Sequence, residues 1–310
     1  MKTKSNRRGR RQRGYRGLLW VLAAGLLLFG LIAQQDILLG TSSRHALLMD
    51  ARTGQVLARK RSGEEAAPAS LTKMMTVLLA TEALPDLDTP VTLPEDIFPA
   101  LYKADASMAG FQPGETVTVR DLLYGAMLPS GAECCEALAR QVSGSEEAFV
   151  ARMNERAKEL GMHDTHFLNC TGLPAEGHVT SAYDIALMSR ELILNHPDLR
   201  RFTTIWMDSL RNGESLLVNT NKLVRFYPGT TGLKTGSTSS AGYCISATAE
   251  KDGMELIAVV LGGSTSDKRF ADAKTLLNYG FASYSLVTVV PESPLPAVPL
   301  TLGTQKAVQS

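Results

Sequence analysis

The sequence predicts an α+β protein in which an antiparallel sheet is flanked by helices and joined to an all-helical lobe. Strand-like patterns occur near both ends of the body, and a long stretch of helical spacing separates them. The predicted strands cover residues 45–50, 55–59, 242–249 and 254–261. Gly54 and the turn Lys251-Asp252-Gly253 would close two hairpins. We expect the two hairpins to share one antiparallel sheet.

Between the hairpins, apolar residues recur at three- and four-residue intervals, which predicts helices. These helices cover about residues 70–84, 119–128, 130–142, 146–160 and 181–195, and another at about 266–281 closes the domain. Pro85 and Pro129 mark two of the helix ends, and Ser130 is placed to cap the helix that follows it. A ligand site is expected where the helical lobe meets the sheet.

The chain divides into three segments: residues 1–40, a folded domain over residues 41–284, and an extended proline-containing tail over residues 285–310. The first segment begins with eight Lys or Arg residues and no acid within residues 1–16, and residues 17–33 carry no charge. A basic flank before an apolar run predicts that the N-terminus stays in the cytoplasm and that the body is exported.

The apolar run leaves two forms of export open. Seventeen uncharged residues reach the lower limit for a membrane-spanning helix, and Leu31-Ile32-Ala33 is a poor cleavage site. An uncleaved membrane anchor in the cell membrane is therefore favoured over a cleaved signal and secretion. In both cases the folded domain is extracytoplasmic.

The net charge and the number of cysteines argue against two further classes of protein. The whole chain has a net charge of +1, so the residues after the basic segment carry −7, which argues against a nucleic-acid partner. Four cysteines are too few for a disulfide scaffold, and we expect them to be small buried apolar residues. They are Cys134, Cys135, Cys170 and Cys244.

Ser70 and Lys73 form the first chemical motif. Their three-residue spacing places a hydroxyl and an amine on one helical face. The pattern alone is weak, because roughly one chance match is expected in a chain of this length. Two further elements follow in order: Ser130-Gly131-Ala132 and, about 100 residues later, Lys234-Thr235-Gly236-Ser237.

With these three elements in this order, the chain resembles the serine D-alanyl-D-alanine carboxypeptidases, the low-molecular-weight penicillin-binding proteins. The resemblance extends from about Ala46 to Tyr284. Further segments typical of that family are Asn219-Thr220-Asn221-Lys222-Leu223, Tyr227-Pro228-Gly229, Ala241-Gly242-Tyr243, Thr165-His166-Phe167 and Gly172-Leu173-Pro174. The resemblance implies a β-lactamase/transpeptidase-like fold and makes residues 41–284 a catalytic domain. Its substrate would be a peptidoglycan stem peptide ending in D-Ala-D-Ala, and β-lactams would be inhibitors.

Each motif residue then has an expected role in acyl transfer. Ser70 would be the nucleophile, Lys73 its base in the neutral form, and Ser130 a proton relay to the leaving amine. Lys234 and Thr235 would hold the terminal carboxylate of the substrate, and Gly236 would allow a substrate strand close to the sheet edge. The resemblance implies that the backbone N–H of Ser237 joins that of Ser70 as an oxyanion donor. No metal or organic cofactor is expected.

One residue departs from the family pattern: Ala132 stands where relatives usually carry Asn. Two alternatives therefore stay open, namely a weakly catalytic β-lactam-sensing or wall-binding homologue and a β-lactamase. The β-lactamase alternative is weakened because Glu191, in a segment resembling a deacylating loop, lies too far beyond Ser130. His163 and His166 have a metal-like spacing, but we interpret them as surface residues.

Overall fold

The computed structural model describes residues 40–210, 213, 215–287, 298–299 and 307–308. The strands are β1 His45–Asp50, β2 Val56–Lys60, β3 Pro90–Thr92, β4 Thr116–Thr118, β5 Met207–Leu210, β6 Ser215–Val218, β7 Thr230–Thr238, β8 Gly242–Lys251, β9 Met254–Gly263, β10 Val298–Pro299 and β11 Ala307–Val308. The α-helices are α1 Lys73–Ala83, α2 Phe98–Lys103, α3 Val119–Met127, α4 Ala132–Ser143, α5 Glu146–Glu159, α6 Ala182–Asn195, α7 Arg200–Thr203, α8 Leu223–Phe226 and α9 Ser266–Ser283.

The two predicted hairpins do share one antiparallel sheet, with the strand order β2-β1-β9-β8-β7. Strand β1 pairs with β9, so that Leu47 lies opposite Val259. Gly54 has a φ of 73° and Gly253 a φ of 77°, the left-handed conformation that a tight hairpin turn requires. Strand β7 was not predicted as a strand, and it forms one edge of the sheet.

Both faces of the sheet are buried, and successive residues of β1 alternate between two cores. Leu47 and Met49 pack into the larger core with the helical lobe. Ala46 and Leu48 face the smaller core beneath α9. Gly280 of α9 lies so close to the sheet that a Cβ there would be 2.4 Å from Leu256 Cδ1. This double coverage explains the continuous apolar runs of the strands.

Helix α1 is the centre of the helical lobe, and its first eight residues are all buried. It contacts α3, α4, α5 and α6. Two short antiparallel ladders, β3-β4 and β5-β6, lie in the stretch between β2 and β7. The all-round burial of α1 makes it a rigid base for the residues at its N-terminal end.

A 3₁₀ turn over Ala69–Thr72 leads directly into α1, so Ser70 precedes the α-helix proper. This turn is held by a loop that follows α5. Thr76 Oγ1 donates a 2.6 Å hydrogen bond to the carbonyl of Cys170. Gly172 packs against the turn so tightly that a Cβ there would be 1.9 Å from the carbonyl oxygen of Ala69. The position of Ser70 therefore depends on a glycine about 100 residues away in the sequence.

All four cysteines are buried, as predicted, and all four are free thiols. The predicted membrane segment at residues 17–33 lies outside the described residues, and so does most of the predicted tail. Within the described ranges, no helix is both long and apolar enough to cross a membrane. Of the tail, β10 and β11 pair with each other in antiparallel fashion.

We expect Gly172→Ala to destabilise the protein more than Gly177→Ala. Both glycines have positive φ, 82° and 87°, so both substitutions carry the same backbone strain of about 1–2 kcal/mol. The Gly172 variant adds a clash with the Ala69 carbonyl, whereas the nearest atom to a Cβ at Gly177 is 3.7 Å away. The expected loss in the free energy of unfolding is about 2–5 kcal/mol for Gly172→Ala. Urea unfolding of the two variants checks this, and equal losses would contradict the packing argument.

Candidate active site

Ser70 and Lys73 lie side by side, as their spacing predicts. The Nζ atom of Lys73 is 3.1 Å from the Oγ atom of Ser70. Ser70 belongs to the 3₁₀ turn and Lys73 is the first residue of α1. A hydroxyl within hydrogen-bond reach of an amine is the geometry that an activated serine nucleophile needs.

The surroundings of Lys73 favour the neutral amine. The residue is only 3% exposed. Burial lowers the pKa of Lys73 below its ordinary value, against the smaller opposing effects of Cys135, Cys170, Cys134 and Glu133. The nearby thiols stay protonated, since burial raises the pKa of Cys135 to about 12. A neutral amine at this distance is a competent base for the Ser70 hydroxyl.

Ser130 is not a helix cap, so that part of the prediction is wrong. The N-cap of α4 is Gly131, and no side chain caps this helix. Ser130 instead has a left-handed φ of 70°, and its Oγ atom is buried without a hydrogen-bond partner among the described residues. A backbone bond of 2.8 Å from Gly131 to the Gly125 carbonyl holds the turn. A buried hydroxyl without a partner calls for an explanation, and a water or ligand that reaches it would supply one.

Glu133 is a site neighbour that the sequence interpretation missed. Its carboxylate accepts hydrogen bonds from the backbone N–H of Ala109 at 2.7 Å and of Gly110 at 2.9 Å. The side chain is fully buried, and this burial raises the pKa of Glu133. The acid thereby fixes the loop around Ala109 against the first turn of α4. The sequence signal for this contact was an acidic residue in the first turn of a predicted helix.

Lys234 lies on strand β7 and is 1% exposed. Its ammonium donates to the carbonyl of Thr235 at 3.1 Å. Burial, and then the charge of Lys73, lower the pKa of Lys234 well below its ordinary value. An incoming anion would remove this penalty, because an opposite charge stabilises the ammonium form.

Thr220 links strand β7 to the segment that precedes Ser130. The sequence interpretation did not predict this link. Thr235 Oγ1 donates a 2.7 Å hydrogen bond to Thr220 Oγ1. The backbone N–H of Thr220 donates to the Leu128 carbonyl at 3.0 Å, two residues before Ser130. Thr220 lies in one of the family-typical segments, which was the only hint in the sequence.

The edge strand β7 lies so close to the Ser70 turn that a glycine is needed at the contact. A Cβ at Gly236 would be 2.7 Å from the Ser70 nitrogen, so no side chain fits at this position. Ser237 follows on the same strand. Arg269 was not predicted as a site residue. Its Nη1 donates to the Gly236 carbonyl at 3.1 Å, and this bond helps to hold strand β7 in place.

Among the described residues, neither of the two doubtful motifs is hydrogen-bonded to this group. Glu191 is in α6 and pairs with Arg156 at 2.6 Å. His163 and His166 are both exposed, as expected. Among the described residues, two clusters have spacings that suit a metal ion. They are Glu82-Glu191-His196 and Glu136-Glu146-Cys170.

The sequence of the chain matches those of known proteins. Residues 32–265 match the family model of peptidase S11, D-alanyl-D-alanine carboxypeptidase. The chain is 44% identical over 253 residues to D-alanyl-D-alanine carboxypeptidase DacF of Bacillus subtilis (strain 168), covering 79% of this chain and 64% of that protein. It is 36% identical over 296 residues to DacC of Escherichia coli (strain K12), covering 89% and 72%.

Solved structures show the same fold. Penicillin-binding protein 5 from Haemophilus influenzae superposes with a TM-score of 0.78 at 29% identity, covering 87% of this chain and 79% of that one. Penicillin-binding protein 6B from Escherichia coli gives 0.75 at 32% identity, covering 82% and 81%. The β-lactamase/transpeptidase-like fold is thus confirmed. The family match covers most of the folded domain, and the chain belongs to the peptidase S11 family of D-alanyl-D-alanine carboxypeptidases.

Proposed function

We propose that this protein is a serine-type D,D-carboxypeptidase that removes the terminal D-Ala from peptidoglycan stem peptides ending in D-Ala-D-Ala. The observation that carries the proposal is the 3.1 Å separation between the Ser70 hydroxyl and the buried Lys73 amine. The family of the chain supports it. The folded domain over residues 41–284 would be the catalytic domain.

Acylation follows from the positions of the three groups. Neutral Lys73 takes the proton of Ser70 Oγ as that oxygen attacks the carbonyl carbon of the penultimate D-Ala. The peptide C–N bond then breaks, and the leaving D-Ala nitrogen receives a proton through the Ser130 hydroxyl. The backbone N–H groups of Ser70 and Ser237 would hold the oxyanion. Water then hydrolyses the ester, and this regenerates Ser70.

The carboxylate of the terminal D-Ala would bind at Lys234 and Thr235. A carboxylate would stabilise the buried ammonium of Lys234, and it would accept from the Thr235 hydroxyl once that hydroxyl turns away from Thr220. A substrate with a C-terminal amide would lose this charge pairing. β-Lactams carry a carboxylate in a similar place relative to their reactive carbonyl, and we propose that they acylate Ser70 as inhibitors.

A second candidate function is a sensor or wall-binding protein that is acylated but barely turns over. Ala132, 1% exposed, is the observation that favours it, since the usual amide is missing. A third candidate, a β-lactamase, has less support because Glu191 is engaged with Arg156. We further propose that the catalytic domain acts outside the cytoplasm and that residues 17–33 anchor it in the membrane.

Ser70→Ala is expected to abolish both D-Ala release and covalent labelling by a fluorescent penicillin. The alanine lacks the attacking oxygen, so the loss should be at least about 10³-fold. Ser283→Ala, an exposed serine at the end of α9, is the matched control and should behave as wild type. Labelling of wild type without D-Ala release would favour the sensor, and labelling of Ser70→Ala would contradict the proposed nucleophile.

The rate of acylation should rise with pH through the pKa of Lys73. Burial lowers this pKa, so the protonated, inactive fraction disappears at a lower pH than for an exposed lysine. In Lys73→Arg the side chain stays protonated, and we expect the rising limb to vanish with a rate loss of about 10²–10⁴. Stopped-flow acylation by the labelled penicillin between pH 5 and 10 measures this. An unchanged pH profile in Lys73→Arg would contradict Lys73 as the base.

Wild type should turn over despite Ala132, with the missing amide contact replaced by water or another side chain. Loss of one preorganised polar contact costs about 10²–10³ in rate when nothing replaces it. Steady-state D-Ala release by wild type is therefore compared with Ala132→Asn and with Ala132→Leu, which adds similar volume without an amide. If wild type shows no turnover and only Ala132→Asn restores it, this expectation fails.

A further inference from the structure

His178 forms a buried contact with a residue that lies between Ser70 and Lys73 in the sequence. Its Nε2 atom is 3.0 Å from the Oγ1 atom of Thr72. Thr72 is fully buried, and His178 is 4% exposed. Thr72 closes the 3₁₀ turn and stands at the N-cap of α1, but its hydroxyl accepts no hydrogen bond from the helix backbone. The Thr72 hydroxyl is therefore bonded to the imidazole rather than to the first turn of α1.

The chain just after this histidine holds the Ser70 turn at a second point. Thr180 and Ala66 exchange two backbone hydrogen bonds, of 2.7 Å and 2.9 Å. Ala66 comes before Ser70 in the sequence, and Thr72 comes after it. One short stretch, residues 178–180, thus contacts the chain on both sides of the nucleophile. These contacts help to fix the path of a 3₁₀ turn, whose own hydrogen bonds have poorer geometry than those of an α-helix.

The imidazole of His178 is oriented by an aromatic contact and by the bond to Thr72. The ring meets Phe167 in a T-shaped contact, with ring centroids 5.9 Å apart and planes inclined at 81°. Its Nδ1 atom is buried and has no hydrogen-bond partner among the described residues. Burial, with a further effect of His166, lowers the pKa of His178 to about 4, so the ring is neutral at pH 7. A neutral ring keeps the Thr72 bond in either tautomer, because a hydroxyl can both donate and accept.

We propose that His178 is a positioning residue for acylation and that it acts through Thr72. Its bond to the Thr72 hydroxyl holds the 3₁₀ turn, so that the Ser70 hydroxyl stays 3.1 Å from the Lys73 amine. The inference rests on the proposed function, since that function makes Ser70 the nucleophile. Small displacements matter here, because a shift of about 1 Å in a reacting group can lower a rate about 10²-fold. The three catalytic motifs do not include His178.

Single-turnover acylation by a fluorescent penicillin at pH 8 separates positioning from binding. His178→Phe keeps an aromatic ring but removes both nitrogens, and Thr72→Val keeps the branched shape but removes the hydroxyl. We expect each variant to lower the maximal acylation rate constant about 10–100-fold and to leave the dissociation constant of the penicillin within about 3-fold. A variant that is merely less stable would lose folded protein but would keep the wild-type rate constant.

Two comparisons show whether the two residues act together. The double variant should lose no more than either single variant, because each substitution breaks the same contact. His178→Gln, whose amide can bond to the Thr72 hydroxyl, should recover most of the rate. His163→Phe, the same change at an exposed histidine, is the control and should behave as wild type.

A wild-type rate constant in His178→Phe would overturn the inference, and so would losses that multiply in the double variant or a Gln variant as slow as the Phe variant. If His178→Phe does not fold, Thr72→Val and His178→Gln decide the question. Amide hydrogen exchange over residues 68–74 measures the turn without catalysis, and it should be faster in Thr72→Val than in wild type or His178→Gln. That result in a wild type that neither is acylated nor releases D-Ala would keep His178 as the residue that holds the turn and refute the proposed function. An active wild type whose variants match it in rate and in exchange would do the opposite.

Discussion

The arrangement of the site depends on two lysine amines that are withdrawn from water. Lys73 and Lys234 are both nearly completely buried, and no carboxylate pairs with either of them within the described residues. A buried unpaired ammonium is costly, so burial lowers the pKa of both amines, and an anion bound at Lys234 would restore its charged form. Under the proposed function, this one structural condition would supply both a base and a carboxylate receptor. Helix α1 and strand β7 keep the two amines buried.

The two lysines stay buried only if three segments that are far apart in the sequence keep their relative positions. Main-chain groups do most of this work: Thr220 bonds to the Leu128 carbonyl, Arg269 to the Gly236 carbonyl, and Glu133 to the Ala109 N–H. Bonds to backbone fix the position of a segment without constraining which side chains it presents. The Ser130 side chain can then remain without a hydrogen-bond partner among the described residues.

The local part of this arrangement was predictable from the sequence and the long-range part was not. Ser70 and Lys73 meet because three residues make nearly one helical turn, which any helix prediction contains. The two outer hairpins were found through their turn residues. Strand β7 was missed because two glycines and a lysine weaken its strand pattern, although the sheet edge requires them. The Ser130 cap was wrong because Gly131 takes that position and Ser130 adopts a left-handed φ.

The side chain at position 132 also affects the charge state of the buried Lys73. Where relatives carry an amide, its oxygen could accept from the lysine ammonium and so stabilise the charged form. A methyl group offers no such bond, so the groups of the first turn of α4 that act on the charge of Lys73 are the thiols of Cys134 and Cys135 and the Glu133 carboxyl. Under the proposed function, an alanine here would weaken one contact to the substrate but favour the neutral base that acylation needs. These two effects oppose each other, so we expect turnover with Ala132 in place.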